Sequence, residues 1–281
     1  MQWVKMILSQ ICLWAHKNNY KMKKLYFNII GIGLILSCHN ADKTVRIDLT
    51  HTFDSTTLYW PNNTCGFEHK KDFAGINDKG FYYSSYSFST PEHGGTHIDA
   101  PIHFAAGKET VDRIPLSSLC GNAVCIDVSR KALANRDFQI SIVDVEEWQK
   151  SNGAIEENCI ILFHTGYGKF YPHRKEYFGT ELKGDSAIPK LHFPGISPEL
   201  ASWLVKKKVK SVGLDTPSMD YGQSTMFETH RILLGNNIPG FENLANTELL
   251  PSKDFIIEAL PMKIGGGSGA PLRIIATTNT D

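Results

Sequence analysis

Pro91-Glu92-His93-Gly94-Gly95-Thr96-His97-Ile98-Asp99-Ala100-Pro101-Ile102-His103-Phe104 sets three histidines and a carboxylate within eleven positions, His93 to His103. His93, His97, Asp99 and His103 all fall on odd numbers. A β-strand turns all four to one face, whereas a helix throws Asp99 away from His93 and His97. β-branched Thr96 and Ile98 favour the strand, and Gly94-Gly95 and Pro101 disfavour a helix interior. A straight strand nevertheless holds His93 about 13 Å from His97, at roughly 3.3 Å per residue. Two histidine nitrogens that must each lie about 2.0–2.1 Å from one zinc cannot be so far apart. The paired glycines supply the remedy, a tight turn or bulge that folds His93 back. His97 and Asp99, two apart, converge as they stand.

The donor chemistry points the same way. Neutral imidazoles and a carboxylate suit zinc, manganese or a similar divalent ion, and the two oxygens of Asp99 can bridge a pair of metals. A single histidine reads as a satisfied polar residue or a surface accident; three around an aspartate read as ligands. A catalytic site also needs an open position for water, which sets it apart from a closed four-ligand cage.

Working outward, the 281-residue chain is 42% hydrophobic and 11% aromatic, enough to bury a core as one large domain or two small ones. Residues 1–37 carry five lysines and no acid, leaving 24 basic against 29 acidic residues in the remainder. That net of −5 gives no basic footprint for nucleic acid. From Met22 a short basic region, an apolar run from Leu25 to Leu36, and Ser37-Cys38 have the layout of a signal peptide. Ile35-Leu36-Ser37-Cys38 resembles a bacterial lipobox, whose cysteine is acylated. The expectation is an upstream extension and lipoprotein leader over 1–37, a linker over 38–44 and one domain over 45–281. The mature protein would then sit in the bacterial cell envelope, lipid-anchored or periplasmic/exported, with any membrane contact through the lipid anchor. An uncleaved anchor is the lesser alternative, because the apolar run is shorter than the roughly 20 residues a span requires. Cys65, Cys120, Cys125 and Cys159 show no zinc-ribbon spacing and are expected as scattered thiols.

Strands are expected at Val45–Leu49, Phe81–Phe88, Ala123–Val128, Cys159–Gly166 with a glycine turn at its end, Val209–Asp215, Ile256–Leu260 and Leu272–Ala276. Ser141 to Asp144 resembles a capping box, Ser197-Pro198-Glu199 opens a helix to about Lys207, and Thr225 to Glu228 repeats the capping-box signal before a short helix that Gly235 stops. Most aromatic rings at Leu58–Pro61 and Phe81–Phe88 are assigned to core packing. Strands outnumber interspersed helices, which makes the class α+β or mixed α/β in one domain.

His93 to Phe104 closely resembles the His-x-Gly-Thr-His-x-Asp-x-Pro-x-His signature of the metal-dependent cyclase family, which includes bacterial kynurenine formamidase and isatin hydrolase. Gly213-Leu214-Asp215-Thr216-Pro217-Ser218 is similar to its Gly-x-Asp-x-Pro-Ser segment, and His230 with Glu242 to its second ligand pair. Leu260-Pro261 and Gly269 to Arg273 resemble its C-terminal signature, so the likeness runs from about Val45 to Thr277. The resemblance implies a swivelling β/β/α fold, homodimers or larger homo-oligomers, and up to two divalent metals per subunit, zinc foremost and manganese as alternative. It implies His93, His97 and Asp99 on the first metal, Asp99 bridging to a second held by His230 and Glu242, and His103 as proton donor and acceptor. Local pattern alone makes His230 and Glu242 an ordinary surface histidine and glutamate.

The implied activity is hydrolysis of a carbon–nitrogen amide bond of arylformamidase type, N-formylkynurenine giving kynurenine and formate. Family members of that type carry a Trp-Pro-Gly-Asp-like turn where this chain has Trp60-Pro61-Asn62-Asn63. A lipoprotein leader also fits poorly with intracellular tryptophan breakdown. A lactam or lactone substrate, as for isatin hydrolase, therefore stands as the alternative, beside a non-catalytic metal-binding lipoprotein and a surface interaction module. Intact His103 beside all five ligands weighs against the last two.

Overall fold

The computed structural model describes residues 44–279. The expected leader and all but the last residue of the expected linker lie outside the described residues. Among the described residues no helix is long and apolar enough to cross a membrane, and Cys65, Cys120, Cys125 and Cys159 are free thiols.

The described residues form twelve strands: β1 (Thr44–Asp48), β2 (Glu68–Ile76), β3 (Tyr82–Ser89), β4 (His97–Asp99), β5 (Cys120–Asp127), β6 (Gln139–Ile140), β7 (Ile160–His164), β8 (Gly195–Ile196), β9 (Ser211–Leu214), β10 (Gly240–Glu242), β11 (Phe255–Pro261) and β12 (Gly269–Asn279). Eight form one sheet in the order β1-β12-β11-β5-β7-β9-β10-β4, and β12 also pairs with β4. Leu272 N donates to Thr96 O and Leu49 N donates to Ile274 O, both on the edge of β12 away from β11. The sheet therefore closes on itself, with β1 flanking β12 at the other end of that edge. Closure leaves no open edge along the ring.

β7 shows why its apolar run is continuous. Ile160 and Leu162 enter the barrel core with Ile98 and Phe241. Ile161 and Phe163 face the second core, shared with Leu200, Leu204 and Leu233 of the covering helices. A strand buried on both faces has no polar alternation to show.

Those helices start where the local chemistry predicts, with one exception. Asp144 accepts from both Ser141 N and its hydroxyl before helix Ile142–Asn152, and Ser197 Oγ accepts from Leu200 N at helix Pro198–Lys206. The Thr225 to Glu228 capping box does not form. Helix Glu228–Gly235 instead follows Phe227 in a left-handed conformation, and its first amides find Asp220, as described below.

Two further expectations are corrected. The strand in the histidine stretch is only three residues long, and His103 lies on a 3-10 turn, Pro101–His103, because proline cannot donate to a ladder. The aromatic stretch Phe81–Phe88 does not enter a core: β2 and β3 form a separate two-stranded hairpin with exposed rings. Tyr59, by contrast, is buried.

Candidate metal centre

Strand β4 divides its side chains between two environments. Ile98 is fully buried in the barrel core, while His97 and Asp99 turn to the opposite face. The bend before it occurs at the paired glycines: Gly95 has φ +55°, and a Cβ on Gly94 would land on the Tyr59 ring. That bend brings His93 Nδ1 within 2.7 Å of Asp99 Oδ1.

The register between β4 and β10 supplies the next carboxylate of the cluster. Glu242 lies directly opposite His97, Phe241 opposite Ile98 and Gly240 opposite Asp99. Cross-strand partners share a face, so Glu242 Oε2 comes within 3.5 Å of His97 Nε2. His230 arrives from the first turn of helix Glu228–Gly235, and its Nε2 lies 3.1 Å from both Asp99 Oδ2 and Glu242 Oε1.

Each ring is oriented by a partner on its far side. His97 Nδ1 lies 3.0 Å from Gly95 O, a carbonyl that also accepts from Asn243 Nδ2 at 2.7 Å. His230 Nδ1 lies 2.6 Å from Asp220 Oδ2. Asp220 also accepts from Thr229 N and His230 N, so one carboxylate both caps the helix and sets the tautomer of its histidine. Met219 N donates to Glu242 Oε1 at 2.8 Å.

This arrangement tests whether a cation fits. With both Nδ1 atoms donating, each neutral ring presents a lone pair at Nε2. His97 Nε2 faces Asp99 Oδ1 at 3.3 Å, and His230 Nε2 faces oxygens of Asp99 and Glu242. Lone pairs converge on carboxylate oxygens in a buried pocket, an arrangement that requires a positive charge between them. Protons alone would have to supply it otherwise. Burial opposes charge on His230, yet its hydrogen bonds to Asp220, Asp99 and Glu242 raise its pKa well above the usual imidazole range. Burial likewise opposes ionisation of Asp99, but His93, His230 and His97 hold its carboxyl well below its usual range. Burial and the Asp99 charge push Glu242 up. The donor set therefore fits a divalent metal, with Asp99 Oδ1 facing the His93 and His97 side and Oδ2 the His230 side, as a bridge requires.

His103 closes the cluster on the His93 side, where it, His93 and Asp99 offer donor atoms within 4.8 Å of one another. Its ring stacks on His93 at 3.8 Å between centroids and meets Phe104 edge-on, leaving its free surface to the cavity. Desolvation of the ring, joined by repulsion from His93, His230 and His97, outweighs the attraction of Asp99 and lowers its pKa to about 4.

Above the cluster opens a cavity of about 460 Å³ whose walls include Leu58, Trp60, Phe104, Phe178, Ile188 and Phe227. Phe227 packs 5.3 Å from Phe104 and 6.2 Å from Trp60. Asn62 and Asn63 line it beside Trp60, and a second loop holds their turn: Gly184 N donates to Pro61 O, and Asn62 Nδ2 donates to Asp185 Oδ1. Among the described residues, the metal-site residues are the only ionisable groups lining this cavity apart from the Tyr59 phenol.

The structure thus gathers His93, His97, Asp99, His230, Glu242 and His103 in one place. Asp215, within the Gly213 to Ser218 segment, has a different task. Its buried carboxylate accepts from Thr165 N and Oγ1, Gly166 N and Gly168 N, tying the loop after β7 to β9. Asp220 and Asn243 are the contributors that sequence reasoning passed over. Asp220 lies eight residues before its helix, too far for a local capping signal.

The chain belongs to the cyclase family, whose model matches residues 47–221. It is 31% identical over 234 residues to the kynurenine formamidase of Salinibacter ruber, spanning 82% of this chain and 95% of that one. It is also 31% identical over 193 residues to the isatin hydrolase of Roseibium aggregatum, covering 66% and 71%. In three dimensions it resembles isatin hydrolase A from Labrenzia aggregata, with a TM-score of 0.75, 27% identity and coverage of 89% and 100%. A second isatin hydrolase structure, bound to the product analogue thioisatinate, gives a TM-score of 0.77 at 26% identity, covering 91% and 99%. The mixed α/β fold with its closed sheet is the one these structures share. The relatives are hydrolases, a formamidase and isatin hydrolases.

Proposed function

We propose that this protein is a metal-dependent amidohydrolase of arylformamidase type, cleaving a carbon–nitrogen bond next to an aromatic ring. The observation that carries the reading is the turning of two orienting-bonded histidines, His97 and His230, onto the same two carboxylates at the floor of an aromatic-walled cavity. His93, His97 and Asp99 would hold one divalent ion, zinc foremost, with Asp99, His230 and Glu242 disposed to hold a second. A divalent ion there supplies a Lewis acid for the substrate carbonyl and lowers the pKa of water from about 16 towards about 7.

The chain's own residues do the rest. Phe104, Phe227 and Trp60 exclude bulk water and present ring faces and edges to an aromatic substrate. His103, neutral at pH 7, accepts a proton from the attacking water and returns it to the departing nitrogen, without which the amine is a poor leaving group. For an N-formyl arylamine the products are formate and the arylamine.

One observation favours the second reading, a cyclic amide as in isatin. N-formylkynurenine carries an α-amino-acid group that is charged at both ends at neutral pH. The cavity walls above the metal floor offer Asn62, Asn63 and Ser218 but no counter-charge, and a desolvated charge without a partner is costly. Hydrolysis of formanilide, N-formylkynurenine and isatin by the zinc- or manganese-loaded protein separates these readings. Formanilide turnover is expected, and N-formylkynurenine outpacing isatin favours the arylformamidase; isatin outpacing both favours the lactamase. Loaded protein that opens none of the three contradicts the proposal.

A further inference from the structure

His97 and His230 show Nε2 to the cluster and have Nδ1 held from behind. His93 is the reverse. Its Nδ1 lies 2.7 Å from Asp99 Oδ1, and its Nε2 lies 2.9 Å from Ser268 Oγ. Ser268 belongs to Gly265-Gly266-Gly267-Ser268-Gly269, a glycine-rich run whose composition is that of a flexible connection. In the fold this run is tied down. Gly266 N donates to Asp112 Oδ1, Val111 N donates to Gly267 O, and Ala100 N donates to Ser268 O. β12 begins directly after Ser268, with Gly269 paired opposite Asp99. A Cβ on Gly269 would come 2.5 Å from His93 Cε1, so the bare backbone lets the loop lie on the imidazole.

Behind Ser268 stands Glu92. Its Oε2 accepts from Ser268 N at 2.8 Å, Ser268 Oγ at 2.6 Å and Gly269 N at 3.3 Å. A glutamate is ionised at neutral pH and then only accepts, whereas a serine hydroxyl has a single proton to give. With that proton committed to Glu92, Ser268 Oγ meets His93 as an acceptor. His93 Nε2 therefore carries hydrogen, and the Nδ1 lone pair is turned towards Asp99. The stack on His103, 3.8 Å between centroids, holds the plane of the ring but not its flip. The bond to Ser268 selects one of the two flips.

We propose that Glu92 and Ser268 are positioning residues for His93: their chain of hydrogen bonds fixes the Nε2–H tautomer and presents Nδ1 to the divalent ion. The inference rests on the metal-dependent reading above and adds to it the donor atom of His93 and the two residues that select it. Partners of this kind, one shell behind a ligating imidazole, set its direction and its basicity.

Long-range proton–nitrogen correlation NMR of the full-length, zinc-loaded protein with isotope-labelled histidine reads the tautomer directly. His93 is expected with hydrogen on Nε2 and the metal on Nδ1, opposite to His97 and His230. Hydrogen on Nδ1 of His93 overturns the proposal. Competition between metal-free protein and a zinc chelator gives the second reading. Ser268→Ala, which removes the acceptor, should weaken zinc binding at the His93 site by about 10–100-fold and leave His93 in mixed tautomers. Ser268→Thr keeps the hydroxyl and should restore both. Unchanged affinity in Ser268→Ala, or an equal loss in Ser268→Thr, overturns the positioning role. Wild type that binds no zinc overturns the metal-dependent reading itself, whereas wild type that binds zinc through the other tautomer of His93 overturns the positioning chain alone.

Discussion

The two halves of the metal centre are built by different means. His93, His97 and Asp99 come from one stretch, folded by a glycine bend and presented by a three-residue strand. His230 and Glu242 come from a helix and a strand far along the chain that reach β4 by tertiary pairing, through the register Glu242↔His97 and the Asp220 cap. The first half depends on local backbone conformation, the second on tertiary pairing. Asp99, which faces both, is where the two modes of construction join.

That contrast can be broken at two points of decreasing effect. His103 belongs to the local half in sequence but to neither in ligation, so His103→Ala should leave metal content intact and lower kcat by about 10²–10⁴, the usual worth of a general acid–base. Unchanged turnover would remove His103 from the chemistry. Asp220→Asn keeps the shape of the cap but weakens the orientation of His230, and should lower metal affinity in the distant half by about 10–100-fold. Titration of metal-free protein would show the loss confined to one site of a two-metal centre. Equal weakening of both sites would mean that the halves are not separable.

The same contrast explains what the sequence disclosed. The odd-numbered spacing of His97 and Asp99 and the need for a bend at Gly94-Gly95 were legible because both depend on neighbours in the chain. His103 was legible as a residue but not as a position, since Pro101 ended the strand and a 3-10 turn carried the histidine instead. Glu242 comes to the His97 cluster through strand pairing, which no local pattern records; only the family likeness indicated it. Asp220 was invisible for a similar reason, since it caps a helix from eight residues away while a nearer Thr225 capping signal goes unused. The hairpin aromatics gave a correct strand signal and a wrong burial, because alternation reports β-structure without reporting what covers it.

The central claim is that Asp99 joins two half-sites into one divalent metal centre. Elemental analysis of purified wild type and Asp99→Asn, both incubated with excess zinc and desalted, tests it most directly. The account predicts one or two tightly held ions per wild-type chain and none in the variant. Asp99→Asn protein that keeps the wild-type metal content would contradict it.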